Sequence, residues 1–290
     1  MTRMPLEPFA AADAAFFYLI AQTSELEHIL VDIHGAYASG FANAITPCSN
    51  YSSGGPIYGR EIAARVLRAA SNDVVTARVV EGVGGIDARI GSEMSREEDF
   101  GNAFNDSFAF LMPFVNARVS VADLTALSVS MNVRNYVRPQ ISLRGGRIDA
   151  TEPGPEGVPA PETALELTLE YFVSAGFNQV DSIGLTACGC TMVSVHHSFS
   201  NRGGKRTVNP NNNSPGRIDF DATADVFDSE VVHEYVDEPS SQGRPLIISF
   251  NKSSRSDLRS YESDGDVSMR RFYNEGDGFL DSCVSHALHG

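Results

Sequence analysis

Two thiols with one residue between them, Cys188 and Cys190, lie near the end of the stretch Ile183-Gly184-Leu185-Thr186-Ala187-Cys188-Gly189-Cys190-Thr191. A thiolate is a metal ligand, whereas a protonated, buried thiol packs as a small hydrophobe. The pair alone is too small for a tetrahedral zinc site, which takes four ligands. His196 and His197 follow closely, but helical continuation from Cys190 aims them elsewhere. His28, His34, His233, His286 and His289 are scattered and suggest no metal cluster. Cys48 and Cys283 flank the core from opposite ends of the chain, and a disulfide between them is one expectation. Four cysteines are too few for a disulfide-built scaffold. Gly82 to Gly85 form a turn; with no strand leading in and no helix leading out, they do not make a phosphate-binding loop.

The elements that must hold these groups read mainly as helices. Ser24-Glu25-Leu26-Glu27 reads as a capping box opening a helix with Leu26, Ile29 and Leu30 on one face. Arg60 to Ala70 has Ala63, Val66, Leu67 and Ala70 at helical spacing. Phe104 to Val115 is an apolar helix bent by Pro113, and Ser120 caps the next, through Leu124, Leu127 and Met131. Arg144 to Pro161, rich in Gly and Pro, is an ordered loop or a short linker. Glu162 to Ala175 is amphipathic, with Leu165, Leu169, Phe172 and Val173 expected inward and Gly176 as its stop. Asn178 caps the helix that leads to Cys190. Asn201 to Pro215 is a polar surface loop, and helical patterns return at Val231-Val232-Tyr235 and from Phe279 to Leu288. Strand alternation is scarce. The expectation is a mainly α fold with long loops and little β, an extension over residues 1–23 and one domain over residues 24–290.

Composition bounds the partners. The 290 residues are 42% apolar and 20% charged, ordinary for a globular chain. No run is long and apolar enough to span a membrane, and the net charge of -15 repels phosphates, so neither membrane nor nucleic acid is an expected partner. The apolar run Ala14 to Ala21 follows Glu7 and Asp13 and precedes Gln22-Thr23-Ser24 without a cleavage pattern. It does not read as a signal peptide, which favours an intracellular protein. Sequons at Asn50, Asn105, Asn212 and Asn251 matter only if the chain is secreted.

Several segments in unbroken order resemble the fungal secreted (class II) haem peroxidases and related peroxidase-like proteins. Gly85-Ile86-Asp87-Ala88, Arg96-Glu97-Glu98-Asp99 and Asn102-Ala103-Phe104-Asn105 resemble their distal segment. Ser120-Val121-Ala122-Asp123-Leu124 matches as well. Gly145-Gly146-Arg147-Ile148-Asp149-Ala150, with Pro153, Gly157, Pro159 and Pro161, is similar to the loop before their proximal region. Ala175-Gly176-Phe177 through Thr191 resembles the helix ending at the haem ligand, and Ser256-Asp257-Leu258-Arg259 also matches. The resemblance covers about residue 26 to the C-terminus and implies a haem peroxidase-like helical fold binding haem b. It also points to secretion, against the reading of the N-terminus.

The resemblance implies two exchanges. The distal helix of the family ends in Arg, small or apolar residues, Phe, His and Asp; here these are Arg68-Ala69-Ala70-Ser71-Asn72-Asp73. Arg68 is retained, and its fixed positive fork suits an anionic oxygen. Asn72 replaces the histidine and can orient a ligand without taking its proton. Ser71 replaces the aromatic residue over the haem and leaves room for a substrate close to iron. On the other face Cys190 replaces the histidine that binds iron, and a thiolate pushes electron density toward O–O cleavage. Asp257 matches the aspartate that accepts the histidine N–H. Beside a thiolate it is a second anion, so Asp257 is protonated, or turns toward Arg255 or Arg259, or Cys190 does not bind iron.

Two cation sites belong to the family. Asp73 and Asp87 match the distal set, but Arg89 stands where a serine is usual, so a guanidinium takes the ion's place. At the second site Thr191, Asp221, Thr223 and Asp228 match, with the Val226 carbonyl as a fifth ligand; hard oxygens suit Ca²⁺. The alternative there is a cluster of Asx turns. The chain has no tryptophan, which excludes a surface-tryptophan radical route. The positions of a manganese site hold Glu61, Arg65 and His196, with one carboxylate and a fixed positive charge. The expected activity is a haem-thiolate oxidoreductase of peroxidase or peroxygenase type, using peroxide or a related oxidant on a small organic molecule in a specialised biosynthetic step. Alternatives are a haem-dependent, redox-neutral isomerase, cyclase or dehydratase, or a non-catalytic peroxidase-like protein.

Overall fold

The structure is a computed structural model, and it describes residues 10–32, 39–41, 45–46, 61–99, 103–136, 143–191, 193–196, 201–202, 205–206, 217–223, 226–237, 246–249 and 251–287. The chain is mainly helical, as the sequence pattern requires. In order come α1 (Ala10–Val31), β1 (Ile45–Thr46), β2 (Glu61–Ile62), α2 (Ala63–Val75), α3 (Ile90–Glu93), α4 (Ala103–Leu111), α5 (Val121–Tyr136), α6 (Leu165–Ser174) and α7 (Gln179–Cys190). Then follow β3 (Ser194–His196), β4 (Asn201–Arg202), β5 (Lys205–Arg206), β6 (Arg217–Asp219), α8 (Glu230–Asp237), α9 (Ser256–Tyr261), α10 (Val267–Glu275) and α11 (Gly278–Ala287). The strands form three small ladders: β1 with β2 parallel, and β3 with β6 and β4 with β5 antiparallel. Among the described residues, no helix is long and apolar enough to cross a membrane.

Two packing neighbourhoods hold the two sets of site residues. α2 packs on α4 and α5, while α7 packs on α9, α10 and α11. The first neighbourhood adjoins a core of Leu26, Phe41, Phe110, Leu124 and Leu127; the second is centred on Ile183, Ala187, Val232, Tyr261, Phe272 and Phe279. Removing one such large side chain costs roughly 3–5 kcal/mol. The local signals that set these helices are visible. The Ser120 hydroxyl accepts from Asp123 N–H at 3.0 Å and opens α5. Asn178 and Asp181 form a reciprocal capping box on α7. Gly176, at φ 93°, ends α6 in a conformation that a side chain resists.

The loop from 143 to 163 is ordered by bonds from both neighbourhoods. The Asp123 carboxylate accepts from the N–H groups of Gly146 and Arg147, and Asp149 accepts from Val121 and Ala122 at the start of α5. Arg96 donates to the carbonyls of Gly154 and Pro155, while Arg259 donates to those of Pro161 and Thr163. A Cβ on Gly154 would lie 2.5 Å from the Arg89 guanidinium, so this contact needs glycine.

Four expectations are corrected. Helix α1 runs through Ser24, which is therefore not an N-cap; the alanines ahead of it favour continuing the helix. α2 starts at Ala63 rather than Arg60 and continues past Asn72 to Val75. Val173 is 62% exposed, on the outer side of α6. Cys283 pairs with Cys188, not Cys48, because α11 lies against α7 and brings the Cα atoms to 5.7 Å. Cys48, the Gly54-Gly55-Pro56 break and most of the Asn201–Pro215 loop lie outside the described residues.

Candidate functional site

On the distal side, α2 carries Arg68, Ser71 and Asn72 within little more than one turn. Asn72 is buried, and its Nδ2 donates to Oδ1 of Asp99 at 2.9 Å. The Arg68 guanidinium sits over the Phe104 ring, 4.8 Å from its centre. Ser71 is exposed, and its hydroxyl donates to the Arg68 carbonyl at 3.1 Å. Asp99 belongs to the Arg96–Asp99 stretch that resembles the distal segment, but the sequence does not single it out as the partner of Asn72, since nothing marks which carboxylate of the run turns inward. It is wholly closed to solvent, and Oδ2 has no hydrogen-bond partner among the described residues. Burial pushes its pKa up, opposed by the Asn72 bond; Glu93 adds to the rise, and Arg68 and Arg96 oppose it.

Below the end of α2, the Asp73 carboxylate accepts from the N–H groups of Asp87, Ala88 and Ile90. These bonds hold Ala88 at φ 62°, a left-handed conformation that costs an alanine about 1–2 kcal/mol. Burial pushes Asp73 up to about 7, and the Asp87 charge adds to it. The Arg89 guanidinium is bidentate on Asp87 through Nε and Nη2. A fixed cation of the chain thus lies beside the two carboxylates. Arg65 pairs with Asp106 at 2.7 Å.

On the proximal side, Cys190 ends α7 and is buried, the one free cysteine among the described residues. Its thiol donates to Oδ2 of Asp257, on α9, at 3.2 Å, and the Ser256 hydroxyl donates to Oδ1 at 3.0 Å. Burial, then the Asp257 charge, push the Cys190 thiol well up. Burial pushes Asp257 up to about 6, opposed by the Cys190 and Ser256 bonds and by Arg259. Asp257 does not turn to either arginine: Arg255 bonds the Ser249 carbonyl, and Arg259 bonds the 143–163 loop and Ser253. Tyr261, one turn after Asp257, is buried and near enough to Cys190 to interact electrostatically, though its hydroxyl makes no hydrogen bond of ordinary geometry among the described residues. Gly189 faces open space on an otherwise buried helix end. His196 lies in β3, so α7 does not continue to it.

Of the residues that the resemblance assigns to a second cation site, Asp221, Thr223 and Asp228 come together, whereas the hydroxyl of Thr191 turns to Cys188. Thr223 N–H donates to Oδ1 of Asp221 at 2.9 Å, an Asx turn, and its hydroxyl donates to Oδ1 of Asp228 at 3.0 Å. Asp221 is buried with Oδ2 unpartnered among the described residues. Burial, then Asp228, Glu234 and Glu230, push it up to about 8, opposed by the Thr223 N–H. Thr191 is fully buried next to Cys190, and its hydroxyl donates to the Cys188 carbonyl. Val226 is exposed at the turn, its N–H donating to the Thr223 carbonyl.

Known proteins place these observations. Residues 56–269 match the family described as peroxidase, whose members normally bind haem. A WSC domain-containing protein from Arthroderma benhamiae is 36% identical over 254 residues, covering 86% of this chain and 34% of that protein. The chain therefore spans about a third of the length of that relative.

Proposed function

We propose that this chain, which belongs to the peroxidase family, is a haem-dependent oxidoreductase with Cys190 as the proximal ligand and Arg68 and Asn72 facing a peroxide or related oxidant. The observation that carries this reading is the Cys190–Asp257 bond. A thiol stands at the end of α7 against the carboxylate that the family resemblance assigns to the proximal partner. Two further features fit a haem between α2 and the end of α7: the open space at Gly189 and the exposed Ser71. Haem bound there supplies a redox-active iron, to which a thiolate donates electron density.

The chain's own groups do the rest. In the haem-free chain Asp257 takes the hydrogen bond of the Cys190 thiol and holds the sulfur in place; beside a thiolate the bond would persist only with Asp257 protonated and donating. Its anion also opposes thiolate formation, which a cationic metal offsets, since a coordinating thiol is deprotonated. Arg68 attracts the negative charge of a deprotonated peroxide. Asn72, fixed by Asp99, orients the oxidant and cannot itself act as base. The small Ser71 leaves space for an organic substrate, which favours oxygen transfer to a small molecule in a biosynthetic step. Thr191, Asp221, Thr223, Asp228 and the Val226 carbonyl would hold Ca²⁺. The orphaned Oδ2 of Asp221 and the negative charge around it fit a cation. Arg89 serves in place of a distal ion.

The test is the absorption spectrum of the haem-reconstituted, reduced, CO-bound protein. A Soret band strongly red-shifted from that of a histidine-ligated haem is expected, and Cys190→His should move it to the ordinary peroxidase position. An unchanged spectrum in that variant rejects the ligand. Failure to bind haem at all sinks the oxidoreductase reading and leaves a non-catalytic peroxidase-like protein.

A further inference from the structure

The sequons are a motif of the sequence that the haem chemistry leaves unused. Two lie among the described residues, Asn105-Asp106-Ser107 and Asn251-Lys252-Ser253, and they fold differently. Asn251 opens a single turn of 3-10 helix over Lys252–Ser254. Its Oδ1 accepts from the Ser253 N–H at 3.1 Å and from the Ser253 hydroxyl at 2.9 Å. With the oxygen held by Ser253, the planar amide keeps Nδ2 on its other side, and no bond among the described residues occupies it. The backbone here is anchored inward: the Ser254 hydroxyl donates to the Asn251 carbonyl at 2.8 Å and lies 2.7 Å from the Ser249 hydroxyl. Asn251 itself is half-buried, and Lys252 and Ser253 are exposed. At the other sequon Asn105 is exposed on α4, but Ser107, two residues on, is buried on nearly the opposite side of the helix. α4 thus keeps that hydroxyl away from its amide. A separate feature bears on the compartment. Cys188 and Cys283 form a buried disulfide, and disulfides persist in oxidising compartments and are rare in the cytosol.

We propose that Asn251 is an N-glycosylation site, modified at Nδ2 with an oligosaccharide as the chain passes through an oxidising secretory compartment. An N-linked sugar is bulky and solubilising and needs a surface position. Asn251 meets that need at two stages. Its side-chain bonds reach only two residues along the chain, so this local conformation is open to a chain that has not yet folded. In the finished fold the same residues remain at the surface, and a sugar on Nδ2 displaces no bond of the described structure. The co-reactant is an oligosaccharide carried on a lipid pyrophosphate. In the step, a bond forms between Nδ2 and the anomeric carbon of the sugar. The bond from that carbon to the pyrophosphate oxygen breaks, and its electron pair leaves with the lipid pyrophosphate. One amide proton passes to a base of the transferring enzyme. No electron is gained or lost overall.

The experiment is peptide mapping of the unreduced protein purified from the cells that make it naturally. A peptide N-glycosidase acting in heavy-oxygen water converts a glycosylated asparagine to a labelled aspartate. Labelled aspartate is expected at position 251, with a fall in intact mass equal to the glycan. Asn251→Gln and Ser253→Ala, returned to the same cells, should each lose that glycan, whereas Ser253→Thr should keep it. The 188–283 cross-link, read in the same digest, reports that each variant has folded, so a lost glycan is not mistaken for a lost fold. An unlabelled Asn251 in the parent overturns the assignment, as does a label at 251 that persists in Ser253→Ala. A parent recovered with Cys188 and Cys283 as free thiols overturns the compartment, and the assignment with it. Haem enters none of these readouts, so their failure leaves the oxidoreductase reading untouched.

Discussion

The Cys190 thiol and the Asp257 carboxylate share one hydrogen bond of 3.2 Å in a region closed to water, with Asp257 as acceptor. The Asp257 charge raises the cost of ionising the thiol, whereas the thiol's hydrogen bond favours the Asp257 anion and burial opposes it. Replacing Asp257 by Asn removes the anion while keeping the shape, so the Cys190 thiol should ionise at a lower pH than in the parent. The thiolate ultraviolet absorbance of the haem-free protein, taken as the difference from Cys190→Ser, measures this. An Asp257→Asn midpoint equal to the parent's would leave burial and the Asp221 charge as the causes of the shift.

Arg89 makes a second, independent prediction. Its guanidinium is almost fully buried on Asp87. Removing one partner of such a pair costs about 3–5 kcal/mol, so Arg89→Ser should lower the melting temperature in chelator. It also restores a hydroxyl beside Asp73 and Asp87, and added Ca²⁺ should then recover much of the loss. Calorimetric titration should detect one Ca²⁺ more in Arg89→Ser than in the parent. Equal stoichiometry would mean that the two carboxylates do not form a cation site even when vacated.

Much of the helical frame on both sides was legible in the sequence because helix signals are local. Ser120, Asn178 and Gly176 act on backbone groups within a few residues, so their roles could be read directly. Arg68 and Asn72 share a helix face for the same reason. The Cys188–Cys283 bond was not legible, because its partners are 95 residues apart and only the docking of α11 on α7 decides between candidates. Asp99 was hidden for a related reason: an acidic run carries no mark of which carboxylate turns inward. Val173 fits an apolar helical pattern, yet whether a valine faces core or solvent depends on what packs there.

The disulfide gives a third prediction. Closing a loop of this length limits the unfolded chain. Cys283→Ala should therefore destabilise the protein by about 2–5 kcal/mol, read from denaturant midpoints. Peptide mapping of the unreduced parent should recover the 188–283 cross-link. A change of stability below 1 kcal/mol would mean that residual structure in the unfolded chain, or strain in the folded one, offsets the loop-closure effect.

A fourth concerns pH. Asp257, Asp73 and Asp221 are held at about 6, 7 and 8, all above the ordinary 3.8. The folded state binds these protons more tightly than the unfolded chain. Their stabilising contribution is thus complete below about pH 4 and is lost as pH rises through those values. In the absence of haem and Ca²⁺, stability should fall between pH 5 and pH 8, and Asp221→Asn should flatten the fall. Ca²⁺ favours the anion and should stabilise the protein more at pH 8 than at pH 5, as thermal melts at the two pH values would report.

Cys188 and Cys190 carry the same side chain, on the same helix, at the same 8% exposure. What separates them chemically is Cys283, which takes one thiol out of circulation and leaves the other. Before that bond forms, the end of α7 offers two soft sulfur donors two residues apart, and a metal arriving then meets an ambiguous choice. After it forms, one donor remains. On the reading proposed above, the disulfide leaves Cys190 as the single sulfur donor at this helix end among the described residues, so oxidation would have to precede cofactor entry for the choice of ligand to be unambiguous.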